Sequence, residues 1–155
     1  MHTIDEIVAD SPVFEGLTRD QLELIAGCAQ NVGFKQGERL FREGDPADTF
    51  YLVRKGRVSL STHAPARGAV VIETLDPGEI VGWSWLFPPY VWHFDARAVD
   101  DVRAVAFDGA CLRGKCEVDH DLGYDLMGRF ASVMIDRLRH TRLRLLDVYG
   151  HGSSS

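Results

Sequence analysis

Cysteine, long apolar runs and positive charge are each in short supply in this chain of 155 residues. Nowhere do 18 apolar residues run together, and Met1-His2-Thr3-Ile4-Asp5-Glu6 lack the positive flank and apolar stretch of a secretory leader; a cytoplasmic protein without a membrane span is expected. Lys and Arg number 17 against 23 Asp and Glu, a formal charge of −6, so the surface as a whole should repel nucleic acid. Three cysteines, Cys28, Cys111 and Cys116, do not make a disulfide scaffold. Cys28 falls in a helical apolar pattern that suits a small buried thiol, and Cys111 and Cys116 have no histidine at zinc-finger spacing, so reduced thiols near a helix are expected. There is no Gly-x-Ser-x-Gly elbow, no Gly-x-x-x-x-Gly-Lys-Ser/Thr loop and no His-Glu-x-x-His pair, and the chain is not expected to be an enzyme. His63, His93, His120 and His140 contain no i, i+3 or i, i+4 pair, and no metal is expected.

What is present is a globular composition, 45% apolar and 26% charged, at a length close to the roughly 150 residues of one domain. Thr18-Arg19-Asp20-Gln21 has the form of a capping box, with Leu22, Leu24, Ile25 and Cys28 following at helical spacing. From Asn31 to Asp108 short apolar clusters are punctuated by glycine and proline, and Phe50–Val53, Val58–Ser61, Ala69–Ile72 and Val102–Ala106 read as strands of a small antiparallel sandwich or barrel. Gly37, Gly44 and Gly56 fall where those strands must reverse.

From His120 to Tyr149 a long helix is expected, with Tyr124, Met127, Ala131, Met134, Leu138, Thr141, Leu145 and Val148 on one seam. Phe130, Val133, Ile135, Leu143 and Leu146 lie off that seam, more apolar surface than one small β-domain covers, so one face should pack on its own domain and the other on a second copy. Arg137, Arg139, His140, Arg142 and Arg144 make the late helix locally basic, but Asp136 and Asp147 interrupt them, and a solvated face is expected. The residues then divide into 1–119, a β-domain with N-terminal helices; 120–149, the dimer helix; and 150–155, a loose tail.

Ser11-Pro12-Val13-Phe14-Glu15-Gly16-Leu17-Thr18, then Phe34-x-x-Gly37-Glu38-x-Leu40-Phe41-x-Glu43-Gly44-Asp45-Pro46-Ala47-Asp48-x-Phe50-Tyr51-Leu52-Val53-x-x-Gly56-x-Val58, and Leu75-x-Pro77-Gly78-Glu79-Ile80-Val81-Gly82 resemble the cyclic-nucleotide-binding domain family. The resemblance implies a double-stranded β-helix, or β-roll, with a long C-terminal dimerisation helix. It also implies a phosphate cassette in which a glutamate bonds the ribose hydroxyl and an arginine the cyclic phosphate. The candidate pocket is Val81, Gly82, Trp83, Ser84, Trp85, Phe94, Asp95, Ala96 and Arg97. If Gly82 is the cassette glycine, Trp83 stands where the glutamate belongs; if Ala96 is the cassette alanine, Phe94 replaces the arginine and Asp95 the following Ser/Thr. A carboxylate about 4 Å from a phosphate costs on the order of 1–4 kcal/mol, about fivefold to several hundredfold in affinity. One other register lets Arg97 reach the phosphate.

Trp83, Trp85, Phe87, Tyr90, Trp92 and Phe94 place all three tryptophans within ten residues, and the alternation at 83, 85 and 87 suits a strand face. Three arrangements are open to these rings: filler for a vacated nucleotide cavity, lining for another small apolar or aromatic ligand, or an exposed patch that docks on a protein partner. The resemblance implies signalling through the segment around Leu112–Tyr124. Transcription factors of this family append a DNA-binding domain after the long helix; the chain stops at Ser155, and direct DNA binding is not expected. The expected function is a regulatory or sensor module that does not bind cyclic AMP or cyclic GMP in the usual way. The alternatives are a ligand-independent docking subunit and an ordinary cyclic AMP receptor that uses Arg97.

Overall fold

A computed structural model describes residues 3–153, with side chains as far as Leu143. Two helices open the chain, α1 (Ile4–Asp10) and α2 (Arg19–Ala26), separated by a 3₁₀ turn at Pro12–Phe14. The capping box is realised: Thr18 Oγ1 accepts from the Gln21 N–H at 3.1 Å, and Gln21 Oε1 accepts from the Thr18 N–H at 3.0 Å. Eight strands follow: β1 (Ala29–Phe34), β2 (Arg39–Phe41), β3 (Thr49–Lys55), β4 (Val58–Ala64), β5 (Gly68–Leu75), β6 (Ile80–Val81), β7 (Asp95–Ala98) and β8 (Val102–Asp108). Then come α3 (Gly109–Val118) and α4 (His120–Ser153). Helix α4 thus covers the expected 120–149 and continues to Ser153, into the stretch expected to be loose. No described helix is long and apolar enough to cross a membrane.

The strands form two four-stranded antiparallel sheets, in the orders β1-β8-β3-β6 and β2-β7-β4-β5. Period-two alternation gives the first sheet two buried faces. Phe50, Leu52, Val105 and Phe107 point toward the helices and pack with Ile7, Val8, Phe14, Ile25, Leu112, Leu122, Leu126 and Phe130. Val53, Val102 and Ala104 point the other way, into the β-roll, and meet Phe41, Val58, Leu60, Leu75, Val81, Trp92, Ala96 and Ala98. Gly37, Gly44 and Gly56 all adopt positive φ. At Gly56 a side chain would also strike the Asp101 carbonyl, so this turn is closed to any residue with a Cβ.

The thiol expectation is corrected. Cys28 and Cys111 form a disulfide with Cα atoms 5.9 Å apart, inside the span a disulfide bridges, and Cys116 is free. The register explains it: β1 pairs with β8 so that Ala29 faces Phe107, and the Asp108 N–H donates to the Cys28 carbonyl at 2.8 Å. That pairing carries the first turn of α3 to the end of α2, although 83 residues separate the two cysteines.

Candidate functional site

The site begins where β6 ends. Ile80 and Val81 pair with Leu52 and Tyr51 of β3, and Gly82 then turns the chain with φ +97°. The indole of Trp92 lies directly on the Gly82 α-carbon, where no Cβ would fit. Trp92 is 3% exposed and stacks on Phe41 with ring centres 3.7 Å apart and planes 8° from parallel. The loop that delivers it is laced to the β2–β3 connection. Trp92 N–H donates to the Asp45 carbonyl, Gly44 N–H to the Trp92 carbonyl, and Ala47 N–H to the Tyr90 carbonyl, at 3.0, 2.8 and 2.7 Å. Phe94 closes the group, 5.8 Å from Phe41 and 6.1 Å from Trp83, edge-on to the latter.

The nine candidate pocket residues do not share one wall. Val81 and Ala96 are buried inside the β-roll with Trp92, and Gly82, Trp83 and Phe94 join them at its rim. Residues 84–86 are a 3₁₀ turn rather than the strand face that the aromatic alternation suggested. From that turn Trp85 projects into the other core, stacking on Phe50 at 4.7 Å and meeting Phe130 edge-on at 5.2 Å. The positive φ at Gly82 breaks the extended run, and Trp83 packs half-buried against the same helix-side core as Trp85 while its ring meets Phe94 edge-on. Ser84 is buried in the same turn. Asp95 is tied back to the β2–β3 loop, accepting from the Glu43 N–H at 2.7 Å. Arg97 is exposed: on β7 its neighbours Ala96 and Ala98 face inward, and period two turns Arg97 outward.

A charge that the basic-helix reading assigned to solvent stands at this rim. Arg137 of α4 is only 7% exposed. Its Nη2 donates to the Ile80 carbonyl, its guanidinium lies 5.1 Å above the Trp83 ring, and its Nη1 has no partner among the described residues. Burial pulls its pKa down, while Glu73 and Glu79 favour the cation. Across the same space, burial pushes the Glu79 carboxyl up, opposed by its own turn's backbone and by Arg137. The helical period held the signal, since Leu122, Leu126 and Phe130 are buried and the same face reaches 133 and 137. Arg139, His140 and Arg142 are exposed, as expected.

Beside Arg137 a cavity of about 730 Å³ opens between α4 and the β5–β6 turn, lined by Glu73, Glu79, Ile80, Arg129, Asp136 and Arg137 among others. Acidic and basic side chains both line it. On the other side of α4, Tyr124 is 83% exposed, Met127 49% and Leu138 69%; Ala131, Met134 and Thr141 are half-buried, and the Leu145 and Val148 side chains lie outside the described residues.

Residues 31–119 match the cyclic nucleotide-binding domain family. The chain belongs to that family. It is 28% identical over 145 residues to the CRP-like cAMP-activated global transcriptional regulator of Mycobacterium tuberculosis, covering 94% of this chain and 63% of that protein. It is 30% identical over 140 residues to the cyclic AMP receptor protein of Thermus thermophilus, covering 87% of this chain and 61% of that protein. The chain therefore spans a little over three-fifths of these relatives. A crystal structure of a cyclic nucleotide-binding protein from Geobacter metallireducens superposes with a TM-score of 0.79 at 32% identity, covering 89% of this chain and 99% of that one. The β-roll with its long C-terminal helix is thus the family's fold. If Gly82 and Ala96 are the cassette glycine and alanine, Trp83 and Phe94 hold the positions that the resemblance gives to a carboxylate and a guanidinium.

Proposed function

We propose that this chain is a regulatory or sensor module of the cyclic-nucleotide-binding type that does not bind cyclic AMP or cyclic GMP in the usual way. One observation carries the reading: the Trp92 indole rests on Gly82, in the turn that opens the cassette. A nucleotide entering there must displace a stacked, hydrogen-bond-laced ring, and it meets no guanidinium from β7 in return, because Arg97 faces outward. The reading in which the rings fill a vacated cavity is therefore favoured, and the receptor reading through Arg97 requires β7 to turn over. Signal output runs through α3 and α4. The exposed Tyr124, Met127 and Leu138, with Ala131 and Met134 between them, suit a homodimer helix of a cytoplasmic protein. Isothermal titration with cyclic AMP and with cyclic GMP is the test. No heat is expected at protein concentrations of about 50 µM, and a Kd of about 1 µM or tighter for either nucleotide refutes the proposal.

The same exposed stripe also favours a second reading, a ligand-independent docking subunit for a protein partner. A sensor's melting midpoint rises with some metabolite in a thermal screen; a docking subunit responds to none and co-purifies with a protein.

A further inference from the structure

The disulfide sits where a signal would have to pass. Cys28 joins α2 to β1, and Cys111 lies in the first turn of α3. Helix α3 in turn grips the aromatic segment. Arg113 donates to the Trp85 carbonyl at 2.5 Å, lies 4.2 Å above the Tyr90 ring and pairs with Asp48 at 3.5 Å. The Gly109 N–H donates to the Asp48 carbonyl at 2.6 Å. Toward α2, the polar ties described are the Asp108 N–H to the Cys28 carbonyl at 2.8 Å, at the cap that precedes α3, and Lys115 Nζ to the Leu24 carbonyl at 2.7 Å, more than a turn further along the helix than Cys111.

The sulfurs are approachable from one side. A cavity of about 380 Å³ at the sheet end is lined by both cysteines with Gly27, Gln30, Asp48 and Asp108. Cys28 is buried and Cys111 half-buried, so Cys111 offers the sulfur that an incoming thiolate can reach. Cys116 is a poor attacker from within, because burial and the neighbouring Asp119 push its thiol up and keep it protonated. The two carboxylates at the cavity disfavour a strongly anionic thiol and leave a neutral dithiol as the better-matched reductant.

We propose that Cys28–Cys111 is a thiol–disulfide exchange site opened by a dithiol reductant, and that its opening frees the first turn of α3 from α2 and loosens residues 83–92. The reductant's thiolate attacks Cys111 Sγ, forming a mixed disulfide and expelling the Cys28 thiolate, which takes up a proton from water. The second thiol then attacks the reductant's own sulfur in the mixed disulfide and expels the Cys111 thiolate, which is protonated likewise. The reductant leaves as its cyclic disulfide, and its two electrons stay on the protein as two thiols.

The test uses the whole protein without denaturant and with no nucleotide, so its result is independent of the titrations above. Dithiothreitol should raise the titratable thiols from one to three, and amide exchange in residues 109–118 and 83–92 should accelerate about tenfold, reversing on reoxidation. A double Cys28→Ser/Cys111→Ser variant should exchange at the fast rate whether or not dithiothreitol is present, while Cys116→Ser should respond as the parent does. The proposal is overturned by a disulfide that opens only in denaturant, by three free thiols that persist under oxidant, or by exchange rates that reduction leaves unchanged. Should the double variant fail to fold, reduction of the native protein decides alone.

Discussion

Trp92→Ala is the substitution that most directly probes whether the β-roll is closed by its own rings. A tryptophan buried to this degree removes about 200 Å² from water, worth about 5 kcal/mol at ~25 cal/mol/Å². Residual burial in the unfolded chain lowers that figure, and Trp→Ala losses of about 3–5 kcal/mol are the usual outcome. The face-to-face contact with Phe41 at 3.7 Å adds to the loss, and the strapping of the 90–92 loop to residues 44–47 limits collapse of the hole. In urea, with m about 2 kcal/mol/M, a loss of 4 kcal/mol moves the midpoint by about 2 M. Because the vacated space is lined by Phe41, Phe94 and the bare face of Gly82, free indole at millimolar concentration should bind the variant and restore part of the midpoint, while leaving the parent unchanged. Cyclic AMP should restore nothing, since no guanidinium has been added. A midpoint loss below about 1 kcal/mol would refute the reasoning, because it would mean that the indole does not fill the interior.

Other consequences are as sharply readable. Arg137→Met keeps the stem's packing and removes a buried charge with an unpaired Nη1, so its stability in urea should stay within about 1 kcal/mol of the parent, whereas Arg137→Ala should lose about 2–3 kcal/mol; equal losses would show that the guanidinium's own bonds carry the site. Glu79 is raised by burial, so the folded state prefers its protonated form. That stability is fully present below the unfolded pKa and is lost as pH rises through the folded one, so Glu79→Gln should raise the melting midpoint at pH 7, by a margin that vanishes toward pH 4. A lower midpoint at pH 7 would contradict that sign. Leu138→Glu should leave the melting transition of the β-roll intact and, by light scattering, halve the apparent mass; an unchanged mass removes α4 as the dimer helix. Removing the crosslink with Cys28→Ser should cost up to about 4–5 kcal/mol by the loop-entropy estimate for an 83-residue separation, read as a urea midpoint under oxidising conditions.

The strands were legible as short β-branched and aromatic clusters bounded by turn residues. Phe50–Val53, Val58–Ser61, Ala69–Ile72 and Val102–Ala106 all lie within strands of the structure, and the Thr18 capping box starts a helix, because both signals are local. Strand β1 is largely exposed and carries little alternation, so only its partner β8 fixes its place. The cysteine pair was hidden for the opposite reason: nothing near Cys28 or Cys111 in sequence reports that β1 and β8 are neighbours. At residues 83–87 the pattern misled. Large rings at every second position suit a strand, but a turn that begins at a left-handed glycine also buries them, Trp85 inside the helix-side core and Trp83 half-buried against it. Arg137 was misread by counting basic residues along a helix instead of following the buried face through Leu126 and Phe130.

The buried Arg137 cation rests on the Trp83 ring, an aromatic face that attracts it without accepting its proton. Its Nη1 has no hydrogen-bond partner among the described residues. The carboxylates that act on this cation, Glu79 and Glu73, line the 730 Å³ cavity with it. Polar chemistry therefore gathers in the groove under α4, where Arg137 and Glu79 line one cavity. A ligand bound in that groove would touch α4 directly, without first reordering the cassette. The aromatic segment is the surface against which α3 is held, through Arg113 on the Trp85 carbonyl and the Tyr90 ring.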